Sequence, residues 1–446
     1  MGPSKTTARA AEWLCLREVT RYVNVSERTL RAWIHAPINA LPAFRVGGRV
    51  LVRRSELDAW KEKMVAVNTP PNPAMETSGA GSGVNRRWIL AGLGGALALS
   101  AGAVVIRRLE TRKPARFGFQ GNSICAWDEV GRLLWSFPFP QPMDPDPAGG
   151  LPPGNHQMVT ADLGANGSEY AVATPAFLVL GQVDRAKAYC FSPEGRLVWS
   201  YIPDLKFTFG DTVFSGPWLA QDLAAVASAA GRSSVWISYT HLDYRPCALV
   251  SFTLKGVRRV EFVNTGHIHT LAYLSNASGR YVLAGGLNNE YNKAALAILR
   301  PDGPPSCSPQ TAGTRFHCVG GPMGQPYRYF LFPPTDVNVA SALPYNRIRV
   351  LHILGNRVSV HSYEDGSGEA GAIYTFSPDL EPEEVILTDG FGLWHRRLEK
   401  QGLIRHDLAH CPHLNEPTIV DRWDPRHGWS KVSVPPSRSV KPGSLR

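Results

Sequence analysis

The sequence predicts a multidomain chain: a small α+β winged helix-turn-helix, a single transmembrane helix and an all-β propeller of six or seven blades. Three observations predict it. The first 64 residues carry twelve Lys/Arg against six Asp/Glu and read as helix, helix, hairpin, helix. Residues 88–106 run for nineteen residues without one ionisable side chain. Residues 114–430 read as short strands joined by turns, with one hairpin that recurs. A chain of 446 residues exceeds one ordinary core, so at least two domains are expected. The boundaries fall at 1–66, 67–87 (linker), 88–106 (membrane helix), 114–430 (propeller) and 431–446 (tail).

The first element is a helix over CLREVTRYV, with Leu16, Val19, Tyr22 and Val23 on one face. Asn24 suits the left-handed conformation that ends a helix, and Ser26 is the N-cap of the next. Leu30, Trp33 and Ile34 form that second helix's inward stripe, which leaves Glu27, Arg28 and Arg31 pointing outward. Phe44–Val46 and Arg49–Val52 then alternate as two strands around Gly47-Gly48, a hairpin turn. Ser55 caps a last helix carrying Leu57, Trp60 and Met64. The local excess of six positive charges, out of +10 for the chain, is a field that attracts phosphate; a solvated basic face is the alternative.

NVSERTLRAWI followed by LPAFRVGGRVLVRRSELDAW resembles the excisionase-type branch of the MerR-like DNA-binding domains, over about residues 13–63. The V-S-x-R-T turn, the L-P-A-x-R-V-G wing and the R-R-S-E-L-D-A-W closing helix occur in that family's order. The resemblance implies double-stranded DNA as partner. It places Ser26, Glu27, Arg28, Thr29 and Arg31 on the recognition helix, with Arg45, Arg49, Arg53 and Arg54 at the wing and the DNA backbone. Two departures stand out. Cys15 occupies a position usually held by a Thr or Ser cap, and the connection HAPINA is long and contains Pro37.

Residues 67–85 are rich in Pro, Gly, Ser and Asn and form a flexible tether. The run WILAGLGGALALSAGAVVI that follows is about 28 Å long as a helix, close to a hydrocarbon core's thickness. A Gly/Ala-rich buried helix or a hinge is the alternative. Gly94, Ala98 and Gly102 lie four apart on one face, the spacing that lets two membrane helices pack as a homodimer; composition alone is the other explanation. Arg107, Arg108, Arg112, Lys113 and Arg116 follow the run, while Arg86 and Arg87 precede it. Positive-inside bias alone would therefore keep the large region in the cytoplasm, whereas a DNA-binding N-terminus requires it outside. NRRWILAGLGG is also similar to a twin-arginine export signal, which would carry the C-terminal side outward.

In the large region SICAWDEVGRLLWSFPFP (123–140) matches AYCFSPEGRLVWSYIPD (188–204), with weaker echoes at 248–262, 294–303 and 371–385. At about 45 residues per four-stranded blade this gives the six or seven blades, with a pair of β-sandwiches as runner-up. Only LAQDLAAVASAAG (219–231) looks helical. The echoes resemble quinoprotein-like and FG-GAP-like propellers, and TADLGANGSEYAVATP resembles an FG-GAP calcium loop. There Asp162, Asn166 and Glu169 are the candidate ligands, Gly164 stands where another is expected, and a plain turn is the alternative. Trp127, Trp135, Trp199 and Trp236 are most simply blade core.

Catalytic signals are weak. His267 and His269 alternate along a strand, and His406, His410, Cys411 and His413 cluster near the end. Imidazole and thiolate suit zinc or copper, but neither set is complete at a recognised spacing, so satisfied or exposed histidines are expected and no metal is assigned. Six of the seven cysteines follow the apolar run; in an oxidising compartment Cys307 and Cys318 are the pair placed to bridge, and otherwise they are isolated thiols. Without a nucleophile elbow, phosphate loop or dinucleotide fingerprint, no enzyme and no cofactor are expected. The expected function is a membrane-anchored one-component transcriptional regulator with an extracytoplasmic propeller that binds an unidentified ligand. The alternatives are a membrane-bound propeller enzyme or binding module whose N-terminal domain serves localisation, and an excisionase-like recombination accessory protein.

Overall fold

In the computed structural model the described residues are 13–23, 34, 41–46, 49–57, 113–144, 156–179, 182–229, 231–241, 246–342, 345–364 and 369–437. The chain divides into two units, Met1–Arg112 with Val179–Gln182, and Lys113–Leu178 with Val183–Arg446. Among the described residues no helix is long and apolar enough to cross a membrane. The run 88–106, the linker and the Gly94/Ala98/Gly102 stripe lie outside the described residues.

In the first unit a short strand β1 (Trp13–Cys15) leads straight into α1 (Leu16–Val23). β2 (Phe44–Val46) and β3 (Arg49–Arg53) form the hairpin expected at Gly47-Gly48, with Val46 opposite Arg49. β1 pairs with the other edge of β3, giving the order β1-β3-β2. Val19, Leu41, Val52 and Leu57 form the core, each at most 1% exposed, with Leu14, Leu16, Ile34 and Ala43 packed around them. The last helix is already helical from residue 54, so Ser55 lies in its first turn and does not cap it.

The second unit is built from strands joined by one repeated turn. At five places Asp128, Ser192, Ser228, Thr253 and Ser377 each donate their amide to the carbonyl four residues on. Each also accepts, at its own carbonyl, from the residue three on: Gly131, Gly195, Gly231, Gly256 or Leu380. That third residue sits at φ 78, 82, 73, 72 and 61° respectively, the left-handed position of a three-residue hairpin loop with a bulge. Adjacent repeats interlock. The Trp135 ring lies against Gly195, where an added Cβ would stand 2.7 Å from Cγ and Cδ2, and Trp199 lies against Gly256 at 3.2 Å. Trp135 Nε1 donates to the Pro193 carbonyl at 2.8 Å, and Trp199 stacks on Phe252 at 5.1 Å. Trp236 is 2% exposed in the core, and the Arg116 guanidinium sits 4.6 Å over Trp127.

The strands assemble into five main sheets of uneven size. The first is β4 (Arg116–Gln120), β5 (Ser123–Trp127) and β6 (Leu133–Pro138). The second orders β12 (Leu197–Tyr201), β11 (Ala188–Phe191), β8 (Tyr170–Ala173) and β7 (Met158–Ala161); β9 (Phe177–Val179) and β10 (Gln182–Asp184) pair separately. β13 (Phe207–Phe209) and β14 (Thr212–Phe214) join β23 (Cys318–Val319). The third sheet runs β15 (Trp218–Ala227), β16 (Ser233–His241), β17 (Cys247–Phe252) and β18 (Arg258–Asn264), ending on β22 (Ser306–Cys307). The fourth runs β19 (Ile268–Asn276), β20 (Gly279–Asn288), β21 (Lys293–Leu299), β24 (Arg328–Phe332), β29 (Thr418–Asp424) and β30 (Gly428–Val434). The fifth, β25 (Asn346–Leu354), β26 (Arg357–Glu364), β27 (Gly371–Phe376) and β28 (Pro382–Leu387), is inserted between β24 and β29. Helices α2 (Asp336–Ala340), α3 (Asp389–Lys400) and α4 (Pro412–Asn415) lie in the connections on either side of it.

Three expectations are corrected. A ring of six or seven four-stranded blades does not form among the described residues: the sheets hold three, four, five, six and four strands, and the last two strands join the fourth sheet instead of closing on the first. Residues 219–227 are strand, not helix. In β15 burial alternates, and Asp222, 0% exposed, accepts the amides of His156, Leu223 and Leu271 at 2.6, 2.9 and 2.7 Å. Antiparallel pairing with β16 and a satisfied buried carboxylate override the helical propensity of alanine. Finally, β30 continues past residue 430, and Val434 is 0% exposed.

Candidate functional site

The N-terminal unit builds its helix start without a Ser or Thr cap. The Cys15 amide donates to Glu18 Oε2 at 2.8 Å, so a glutamate three residues on satisfies the first free N–H, half of a capping box. This answers the departure at Cys15. Arg45 and Arg49 lie on the two strands of the hairpin, Arg53 ends the second strand and is exposed, and Arg54 is half-buried at the start of the next helix. Ser26, Glu27, Arg28, Thr29 and Arg31 lie outside the described residues. The hairpin thus carries three arginines within two short paired strands.

In the second unit Asp162 closes a turn. Its Oδ1 accepts the Asn166 amide at 3.1 Å and its Oδ2 the Gly167 amide at 2.7 Å, while Asn166 Oδ1 accepts the Ser168 amide. Both carboxylate oxygens therefore hold the β7–β8 loop in shape, and Glu169 is exposed beyond it. His267 and His269 pack edge to face with ring centroids 5.2 Å apart. Cys307 and Cys318 are free thiols that lie side by side: a Cβ on Gly321 would be within 3.1 Å of both sulfurs. The Cys307 thiol donates to Cys318, which raises its own pKa and lowers that of Cys318. A concavity of about 610 Å³ is lined by Arg300, Arg328, Arg422 and Arg426, but Arg328 and Arg422 already share Glu381 at 3.1 Å each.

The C-terminal cluster gathers differently from its sequence pattern. His406 and Cys411 meet Asp336, the first residue of α2, and His395, in the middle of α3. His406 Nε2 lies 3.0 Å from Asp336 Oδ2, His395 Nε2 lies 3.5 Å from the same oxygen, and the Cys411 thiol donates to it at 3.4 Å. The two Nε2 atoms are 3.2 Å apart. His395 and Cys411 are each 0% exposed, and Asp336 Oδ1 is buried without a hydrogen-bond partner among the described residues. Burial lowers the pKa of His395 against the opposing pull of Asp336 and pushes the Cys411 thiol up to about 12, with the Asp336 carboxylate adding to the rise. His413 stands just outside the group: its Nε2 accepts the Asp336 amide at 3.1 Å, and burial lowers its pKa. His410 is not part of the cluster; it pairs with Asp407 at the surface. Asp336 and His395 carried no sequence signal, because chain folding alone brings them to residues 406 and 411.

Residues 13–65 match the family model described as a helix-turn-helix domain. The match spans the unit just described and implies DNA binding at the N-terminus. A search of curated proteins finds no match to the chain. Among solved structures, the chain is similar to BBS1N in complex with ARL6DN, at 10% identity and TM-score 0.31, covering 62% of this chain and 67% of that one. It is similar to a protein of unknown function from Bacteroides caccae, at 8% identity and TM-score 0.23, covering 62% and 93%. It is also similar to an exo-β-1,3-galactanase from Clostridium thermocellum, at 10% identity and TM-score 0.27, covering 60% and 56%. These likenesses are too slight to assign a fold or a function; the helix-turn-helix match concerns residues 13–65 alone.

Proposed function

We propose that the protein is a membrane-anchored DNA-binding regulator of the one-component kind. The observation that carries this reading is the coincidence, in one small unit, of a helix-turn-helix match, an excess of positive charge and an arginine-bearing hairpin. Ser26, Glu27, Arg28, Thr29 and Arg31 face the major groove, and Arg45, Arg49, Arg53 and Arg54 hold phosphates. The nineteen-residue apolar run supports a single anchor, with the basic unit in the cytoplasm and the all-β unit beyond the membrane as the ligand-binding part. Gly94, Ala98 and Gly102 supply a helix–helix face for dimers, and ligand-driven change in the dimer population is the route by which DNA affinity responds.

Two measurements test the two halves separately. Full-length protein should be retained on duplex DNA at low salt and released as salt rises; absence of retention at low salt overturns the DNA-binding half. Membranes from expressing cells should keep the protein through alkaline carbonate extraction; release into the supernatant overturns the anchor and leaves DNA binding standing.

A further inference from the structure

We infer that Asp336, His395, His406 and Cys411 form a structural zinc site in the all-β unit. The inference is independent of the DNA-binding reading. Four donor atoms from four separate elements lie within 4.8 Å of one another: the first residue of α2, the middle of α3, the loop after it, and the residue that precedes α4.

The way the carboxylate is used points to a shared centre. Three side chains converge on Asp336 Oδ2, at 3.0, 3.4 and 3.5 Å, while Oδ1 of the same group is buried with no partner among the described residues. A carboxylate satisfied by hydrogen bonding alone spreads its donors over both oxygens and their roughly four lone-pair sites. Donors aimed at one point instead are arranged as ligands are around an ion. The spacing agrees. Arms of about 2.0–2.3 Å in a tetrahedron give edges of roughly 3.3–3.8 Å; the three edges from Asp336 Oδ2 are 3.0, 3.4 and 3.5 Å, the Nε2–Nε2 edge is 3.2 Å, and every pair lies within 4.8 Å.

The donor set selects the ion. A thiolate and two imidazoles disfavour magnesium and calcium, which take oxygen ligands. A set of one sulfur, two nitrogens and one oxygen suits zinc, and four protein ligands leave no open position for water or substrate. Its role is therefore to hold structure. α2 spans five residues and α4 four, lengths that do not persist without tertiary support. One ion would tie both to α3. His413 supports the arrangement from outside, since its hydrogen bond to the Asp336 amide fixes the first turn of α2. The exposed His410, paired with Asp407, takes no part.

The test uses the full-length chain, made without a histidine tag. Its zinc content is measured by mass spectrometry, and Co2+ alone is added to metal-free protein. The expected result is one zinc per chain, with a cobalt spectrum that combines strong visible bands of a tetrahedral site and a near-ultraviolet thiolate band. Cys411→Ser should remove the thiolate band while tetrahedral absorption persists. His406→Ala should weaken zinc binding by more than the roughly 10–100-fold that loss of an outer partner costs. His410→Ala should change neither. Far-ultraviolet circular dichroism confirms that Cys411→Ser, the conservative variant, is folded. A protein that holds no zinc and shows no cobalt bands overturns the proposal; so does a cobalt spectrum unchanged in Cys411→Ser, or a loss in His410→Ala equal to that in His406→Ala.

Discussion

Replacing Gly195 with alanine tests the interlock between repeats, and Gly131 supplies the internal standard. Both glycines hold the third position of the same turn, at φ 82 and 78°. An alanine forced into the left-handed region costs about 1–2 kcal/mol at either site. At Gly131 nothing among the described residues lies within 4 Å of the added carbon, so that conformational cost is the whole effect. At Gly195 the carbon would stand 2.7 Å from the Trp135 ring, which must move by about 0.7 Å to reach ordinary contact. The ring is held by its hydrogen bond to the Pro193 carbonyl and by Phe117 and Phe191, at centroid distances of 5.9 and 6.0 Å. Overpacking of this kind costs about 1–3 kcal/mol, and loss of the hydrogen bond about 1 kcal/mol more. Gly195→Ala should therefore lower stability by about 2–4 kcal/mol beyond Gly131→Ala, read as the midpoint of denaturant unfolding followed by tryptophan fluorescence. In the double variant Trp135→Ala/Gly195→Ala the extra cost of the glycine change should vanish, leaving only its conformational part. Equal destabilisation by Gly195→Ala and Gly131→Ala would refute the interlock.

Other outcomes follow from the same chemistry. If Arg45, Arg49, Arg53 and Arg54 all meet phosphate, log affinity against log salt should have a slope of about −3.6, and Arg53→Ala should make it shallower by about one. Burial, helped by nearby His352, lowers the pKa of His361 to about 4, so the unfolded chain takes up this proton first as pH falls. Stability should drop between the ordinary histidine value of 6.5 and about 4 and level off below, and His361→Gln should flatten that limb in unfolding measured across pH. Diamide should oxidise the adjacent Cys307 and Cys318 to a disulfide, reading as two fewer titratable thiols in the native protein; an unchanged thiol count, or one that still falls by two in Cys307→Ser, would show that these sulfurs do not meet.

Much of the local architecture was legible because it rests on residues with narrow conformational choices. Gly47-Gly48 between alternating apolar residues announced the β2–β3 hairpin. The repeated turn was visible as D-E-V-G-R and S-P-E-G-R because the third loop position excludes most side chains. The same signature, S-A-A-G-R, stands at 228–232 and marks β15–β16, where the alanines of 220–227 suggested a helix. Propensity misled there, and the turn would have corrected it. Helix α3 was hidden by Gly390 and Gly392 in its first turn, although the Thr388 side chain accepts the Phe391 amide as a cap. Gly390 is tolerated because a Cβ there would fall 2.5 Å from the Glu369 backbone, a close approach that no local pattern reveals. The C-terminal cluster was half visible. His406 and Cys411 stand in a short His-rich run, but Asp336 and His395 join them only through packing of α2 against α3, and His410 belonged to the pattern without belonging to the site.

The membership of β29 and β30 in the fourth sheet bears on how the protein is made. β24 acquires its outer neighbour only after the whole fifth sheet has been synthesised, so an emerging chain carries the strand RYFLF with one edge bare until residues 418–434 clear the ribosome. That edge belongs to a strand of which four of five residues are buried in the finished molecule. A message broken shortly before codon 418 would thus yield a sticky polypeptide that recruits other copies through its open strand, not a slightly shorter working protein.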